Sequence, residues 1–268
     1  DNEFPVWVAP IQGWYDGSLT IPNTRHLTKD LHTWPWVDFI RCSWPERYSS
    51  KNSENNNPLP HPSLTKHLLS LNAPSLTQIS TTLRNTDTPP PGVITFSHFL
   101  PNDRTLPDWK DVSSPHFRHE DWLDHGAAEI SAKFATVAGS SLIDSQIRSL
   151  MAPPHSHIHI FGHSHRPKDF DYKGIRYIHH PLGKPTEREL RLIDENVGMK
   201  LVWGTTKGGM AEREETIIRY WEEKGGGKQA LIRNMERRRR KRKEMVRRIV
   251  QEVDRASAGT KDANNTRS

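Results

Sequence analysis

Short apolar runs bounded by turn formers set the rhythm of this chain. Val6-Trp7-Val8 reads as a short buried strand, and Gly13-Trp14-Tyr15-Asp16-Gly17 as the loop that follows it. Leu64 to Arg84 carries helical spacing, and the proline in Asn72-Ala73-Pro74 predicts that one helix ends there and another begins. Val93-Ile94-Thr95-Phe96-Ser97-His98, entered through Pro89-Pro90-Pro91-Gly92, is the clearest strand. Ser141-Leu142-Ile143-Asp144 resembles a capping box, with Leu142, Ile143, Ile147, Leu150 and Met151 on one helical face. Ile158-His159-Ile160-Phe161 predicts a second strong strand, running straight into Gly162-His163-Ser164-His165. Shorter strands are expected at Gly174–Ile178 and Lys200–Trp203, and helices at Met210–Lys224 and Lys228–Ala256. Strand–helix–strand order points to an α/β layered fold.

Composition divides this pattern into parts. Only 33% of residues are hydrophobic and 20 are prolines, which sets a modest core beside long irregular stretches. The Asn- and Pro-rich segment 49–63 is expected to be a disordered surface loop. Trp7, Trp14, Trp34, Trp36 and Trp44 suit core and rim packing, with substrate stacking by Trp14 or Tyr15 as the alternative. Residues 228–248 hold eleven Lys or Arg against two Glu, so the formal charge of +6 belongs to one tail segment, and the remainder is net −3. No apolar stretch reaches the roughly 20 residues of a membrane helix, and a lone Cys42 excludes an internal disulfide. A soluble intracellular protein is the expectation, with a domain over 1–206 and a charged helical tail over 207–268.

The chemistry gathers at the two strong strands. In α/β sheets functional groups collect where strands end; His98 sits at the end of the first strong strand, and His163 and His165 sit just past the end of the second. Neutral imidazoles ligate zinc, iron and manganese. Three of them are too few for a cation pair, which also needs carboxylate oxygens. His155, His157 and His159 alternate along one strand and share a side; a structural face is expected there, a separate zinc site being the alternative. Arg166 adjoins the histidines and either contacts phosphate or is an ordinary surface arginine. The tail run Arg237–Lys243 is either a solvated helix or a binder of nucleic acid and other polyanions.

Gly162-His163-Ser164-His165 resembles the Gly-His-x-His motif that closes the calcineurin-like metallophosphoesterase domain, and Phe96-Ser97-His98-Phe99-Leu100-Pro101 resembles the lone-histidine motif before it. Val6–Trp14, Asp38–Pro45 and Gly174–Arg188 are similar, in the same order, to stretches of a plant and algal subgroup of that family. The resemblance implies a sandwich of two β-sheets flanked by helices and a centre of two divalent or trivalent cations (Mn, Fe or Zn). His98 and His163 would bind one cation and His165 the other. His179 and His180 have no role that the resemblance transfers.

The family's remaining donors lie in an Asp-x-His, a Gly-Asp-x-x-Asp and a Gly-Asn-His motif. The last two are absent here. Asp30-Leu31-His32 matches the first only as letters, because it follows the aromatic segment that should come after all three. The chain therefore reads as the C-terminal half of the domain, with Asp1 just downstream of the missing motifs. The implied activity is hydrolysis of a phosphomonoester or phosphodiester by hydroxide that the cations activate. A non-catalytic, truncated protein with a nucleic-acid-binding tail is the alternative.

Overall fold

The computed structural model describes residues 6–21, 24, 27, 30–32, 34–49, 58–85, 92–109, 128–152, 155–189, 193, 196–204, 209–212, 233, 236–237, 240–241, 243–248 and 250–251. At its centre is a five-stranded mixed sheet of β1 (Val6–Pro10), β2 (Gly92–Ser97), β3 (His157–Phe161), β4 (Lys168–Tyr172) and β5 (Ile175–His179), in the order β1-β2-β3-β5-β4. The first four in that order run parallel, and β4 returns antiparallel to β5. Helices α1 (Val37–Arg41) and α2 (Ser63–Asn85) lie between β1 and β2 in the chain. α3 (Ala128–Ala138) and α4 (Ser141–Arg148) lie between β2 and β3, and α5 (Pro185–Glu189) follows β5. A two-stranded sheet, β6 (Trp203–Gly204) and β7 (Gly209–Met210), completes the α/β arrangement.

Side chains alternate across a strand, so the register assigns each residue a face. Ala9, Val93, Phe161 and Tyr177 meet Leu69, Leu76 and Ile79 of α2, Phe134 and Val137 of α3, and Ile143 and Ile147 of α4 in one buried cluster. Burying each such aliphatic or aromatic side chain is worth about 1.5–3 kcal/mol, so this helix-covered face carries most of the apolar stabilisation. On the opposite face Ile94, Ile158 and Ile178 pack with Trp203 and Met210 of the small sheet. Gly92 is required there, since a Cβ on it would lie 1.9 Å from the Trp203 ring. Arg176 fastens the same region by donating to both Asp169 oxygens at 2.8 and 2.9 Å and to the Ala211 carbonyl.

Several local expectations are corrected by packing. Proline does not break the helix, because α2 continues from Ser63 to Asn85 with Pro74 inside it. Buried Leu69, Asn72, Leu76 and Ile79 carry one stripe across the proline, which itself points to solvent. Asn72 also fixes the register by bonding the Gln12 amide and carbonyl and the Gln146 side chain. The cap of α4 is Ser140 rather than Ser141: its hydroxyl accepts from the Leu142 amide, freeing Asp144 to bind Asn102, Arg148 and Tyr177. Met151 leaves the helical face and is 74% exposed. The strand expected at Lys200–Trp203 is confined to Trp203–Gly204.

β4 was not expected. It pairs through Lys173-Gly174, whose φ values of 49° and 79° make the left-handed two-residue hairpin turn that suits twisted strands. Of the loop expected over 49–63, Pro58–Ser63 is described: Leu59 packs on the core and the His61 amide donates to the Tyr48 carbonyl. Residues 50–57 lie outside the described residues. Met210 belongs to β7 rather than to a helix, and 213–230 lies outside the described residues; those described between 233 and 251 are helical and exposed.

His157 and His159 form a structural face of the sheet, without His155, which sits in a turn at φ 61°. They belong to a buried hydrogen-bond string whose direction is fixed at one end, because the Ser97 hydroxyl donates to the Phe99 carbonyl at 2.6 Å. Ser97 must then accept from His159 Nε2 at 3.1 Å. His159 Nδ1 takes the Thr95 hydroxyl at 2.9 Å, and Thr95 accepts from His157 Nε2 at 2.9 Å.

Burial, with Arg148 adding to it, pushes His157 down to about 4, and burial holds His159 well below its usual range. Between the unfolded value near 6.5 and those folded values, the unfolded chain binds protons that the folded chain refuses. Stability should therefore fall as pH drops from 7 to 5, by up to about 1.4 kcal/mol per pH unit for each such imidazole. Urea unfolding at pH 7, 6 and 5 measures this, and equal midpoints at all three would contradict the assignment.

Candidate metal centre

The C-terminal ends of β2 and β3 are adjacent because the strands are parallel and in register, Ser97 opposite Phe161. Each chain turns immediately afterwards, and the two turns are tied together by the Gly162 amide donating to the His98 carbonyl at 3.1 Å. A Cβ on Gly162 would stand 3.2 Å from that carbonyl oxygen and 3.4 Å from His98 Nδ1, so glycine permits the close approach. Beyond it His163 and His165 both adopt left-handed backbone, at φ 69° and 55°. Such conformations cost on the order of 1–3 kcal/mol for a residue other than glycine and cluster at functional sites.

His163 is fixed from both sides. Its Nε2 lies 3.1 Å from the Val137 carbonyl, which can only accept, so Nε2 carries the hydrogen. That carbonyl is available because Val137 is in the last turn of α3, where helical oxygens lack an intrahelical partner. The other nitrogen, Nδ1, keeps its lone pair and faces His98 Nε2 at 3.2 Å. Phe134 stacks on the ring at 5.8 Å and 14°, with Trp36 edge-on at 5.7 Å and Phe99 at 4.9 Å. Trp36 is itself held by donating to Asp38 at 3.1 Å. Burial, then the neighbouring His98, pushes His163 down to about 3. Desolvation also lowers His98, against the opposing pull of Asp38. Both rings are neutral, the form that ligates cations.

His165 has a different partner. Its Nδ1 lies 2.9 and 3.2 Å from the two Glu187 oxygens, leaving Nε2 as the lone-pair nitrogen when the ring is neutral. Glu187 is placed by a reach-back to the start of α5, accepting from the Lys184 amide at 2.8 Å in the manner of a capping box. Burial raises this carboxyl, but the Lys184 amide and His165 outweigh it and hold it below its usual range. Arg166 folds onto its own loop, donating to the His165 carbonyl at 3.1 Å, with its charge felt at Glu187.

The structure thus brings His98 and His163 into direct contact and sets His165 close enough to act electrostatically on both. Among the described residues no three His, Cys, Asp or Glu side chains already form a cage for a cation. Asp30 accepts from the His32 amide in a local turn. Sequence reasoning missed the Val137 carbonyl, the Trp36 and Phe134 walls, and Glu187. Trp36 was expected only as a packing residue, and Glu187 shows in the sequence as an acidic residue on the first turn after Pro185. Comparisons with protein-family models, curated proteins and solved structures found no match. Among the described residues no helix is long and apolar enough to cross a membrane.

Proposed function

We propose that this chain contributes the histidine half of a dinuclear phosphoester hydrolase centre, acting on a phosphomonoester or phosphodiester. The observation that carries the reading is the pairing of His163 Nδ1 with His98 Nε2 at 3.2 Å. Two nitrogens bound at 2.0–2.1 Å to one tetrahedral cation stand roughly 3.3 Å apart, so a cation replacing the shared hydrogen needs little movement of either ring. The second-sphere pattern agrees, since a ligating imidazole characteristically gives its other N–H to a carbonyl or carboxylate. His163 does so to Val137, and His165 to Glu187.

In this reading His98 and His163 hold one cation, His165 holds the other, and Glu187 fixes the tautomer and aim of His165. The cations, Mn, Fe or Zn, would activate water and neutralise charge developing on phosphorus. Trp36, Phe99 and Phe134 close one side of the His163 ring against solvent. Arg166 brings a cationic group beside the same loop, where it balances Glu187 or meets a phosphate oxygen. The carboxylate and asparagine donors are assigned to the family motifs that this sequence lacks, upstream of the segment carrying Val6–Trp14.

Calorimetric titration of the chain with Zn²⁺ or Mn²⁺ tests the reading. Binding is expected, together with its loss in His98→Ala; a chain that ignores both cations, or a variant that binds them unchanged, would refute it. Hydrolysis of an aryl phosphate should then appear when the upstream motifs are joined to the chain.

A second reading, polyanion binding by the tail, is favoured by Arg233, Arg237, Arg240, Lys241, Lys243, Arg247 and Arg248, all helical and exposed. Counterion release would make such binding fall steeply with salt. Removing residues 228–268 should abolish retention of a nucleic acid while leaving cation binding intact.

A further inference from the structure

Trp36 links the His163 ring to a second concavity. The helix α1 carries Asp38 and Phe39 and ends where the Cys42 amide donates to the Asp38 carbonyl at 2.9 Å. Ser43-Trp44-Pro45 then leads into the 3-10 turn Glu46–Tyr48, and the chain returns through Pro58-Leu59-Pro60, tied there by the His61 amide donating to the Tyr48 carbonyl at 2.8 Å. Trp44 stands edge-on to Trp14 at 4.9 Å, and Tyr15 is buried. These segments enclose a cavity of about 110 Å³, lined by Tyr15, Asp38, Phe39, Cys42 and Trp44 among others. Two ring contacts set it beside the histidines. Trp36 donates to Asp38 at 3.1 Å and lies 5.7 Å from the His163 ring; Tyr15 lies 5.5 Å from Phe99, which is 4.9 Å from that same ring.

The wall selects a class of ligand. Asp38 is its only charged residue; the rest are aromatic rings, prolines, Leu59, two serines and Cys42. Among the described residues Asp38 has no ion-pair partner: its Oδ2 accepts from Trp36, and its Oδ1 accepts no hydrogen bond. Burial, and Asp38 after it, raise both the Tyr15 phenol and the Cys42 thiol, so neither is a second anion. An uncompensated carboxylate among π faces attracts a cation, and the rings favour one that sheds water easily. A hard divalent ion asks for several oxygen ligands, and one carboxylate does not supply them. Size narrows the choice further. A cavity of about 150 Å³ holds benzene, so this one takes a single methylated ammonium head and excludes a nucleoside or a peptide.

We propose that this cavity binds a small alkylammonium group, its charge against Asp38 and its methyl groups on the rings of Phe39, Trp44 and Tyr15. The site stands on its own lining and does not depend on the hydrolase reading. It also gives Asp38 a part beyond holding Trp36.

The test adds tetramethylammonium to the whole chain at constant ionic strength and follows the Trp44 indole N–H and the Phe39 ring signals by NMR. The uncharged match in size and shape is tert-butanol. Saturable shifts are expected, with tetramethylammonium bound at least about tenfold more tightly than the alcohol. In Asp38→Asn the amide oxygen can still accept from Trp36, but the charge is gone. That variant should bind tetramethylammonium at least about tenfold more weakly than the wild type, with its affinity for tert-butanol unchanged. Trp44→Leu, which keeps an apolar wall without a π face, should weaken the ammonium more than the alcohol.

No shift with tetramethylammonium, equal affinities for the two probes, or an unchanged ammonium affinity in folded Asp38→Asn would each overturn the proposal. Should Asp38→Asn fail to fold, the wild-type comparison of ammonium with alcohol decides alone. Zinc binding and its loss in His98→Ala are read separately, so either conclusion can fail without the other.

Discussion

Alanine at position 163 should weaken Zn²⁺ or Mn²⁺ binding by more than about 100-fold, beyond the 10–100-fold typical of losing an outer-sphere partner. His163 is expected to dominate because it is the most constrained of the imidazoles. The Val137 carbonyl fixes its tautomer, three aromatic rings fix its plane, and its free nitrogen already faces His98. Alanine also leaves a void and strips the Val137 carbonyl of its donor, so a weaker fold alone is a competing cause of any loss. His163→Phe separates the two causes: it keeps a ring against Phe134 and Trp36 and the same left-handed backbone, but offers no nitrogen. Calorimetry should show cation binding lost in both variants, with thermal stability reduced less by phenylalanine. Retained binding in His163→Phe would remove His163 from the ligand set.

Gly139→Ala should cost about 3 kcal/mol or more, at or beyond the upper end for overpacking a tight site. A Cβ there would stand 1.9 Å from the Leu100 carbonyl oxygen and 2.7 Å from both the carbonyl carbon and the amide nitrogen of the same residue. Unlike the end of a flexible side chain, that backbone has nowhere to go. Leu100 is fully buried, its amide donates to the Ala138 carbonyl, and its own carbonyl accepts from Ser140. Relief requires the α3–α4 junction to move away from the loop after His98, taking Val137 with it. For a domain of this size the loss corresponds to roughly 6–12 °C in Tm, measured by circular dichroism. A variant melting within a degree or two of wild type would show that the junction is looser than these contacts imply.

What the chain disclosed in advance depended on whether a signal was local. β2 and β3 were readable because their apolar runs are bounded by breakers, and the same clarity exposed His98 and His163 at their ends. β4 was hidden by Lys168, Asp169 and Asp171, charges that look like loop. Lys168 is tied to residues far back in the chain, donating to the Arg104 and Leu106 carbonyls, while Asp169 meets Arg176 across the same hairpin and Lys200 beyond it. Pro74 misled for the opposite reason, a strong local rule yielding to a buried stripe that continues past it. At the site, Val137 acts through its carbonyl, which every residue possesses, so no pattern of side chains could single it out. Glu187 reaches His165 from 22 positions away.

The string from His157 through Thr95 and His159 to Ser97 has every hydrogen aimed the same way, toward the Phe99 carbonyl. Reversing one link would set two lone pairs or two hydrogens against each other, so the links change together or not at all. The sheet interior consequently has a single protonic polarity, locked by one serine hydroxyl. Removing that hydroxyl with Ser97→Ala would release both imidazoles to sample either tautomer.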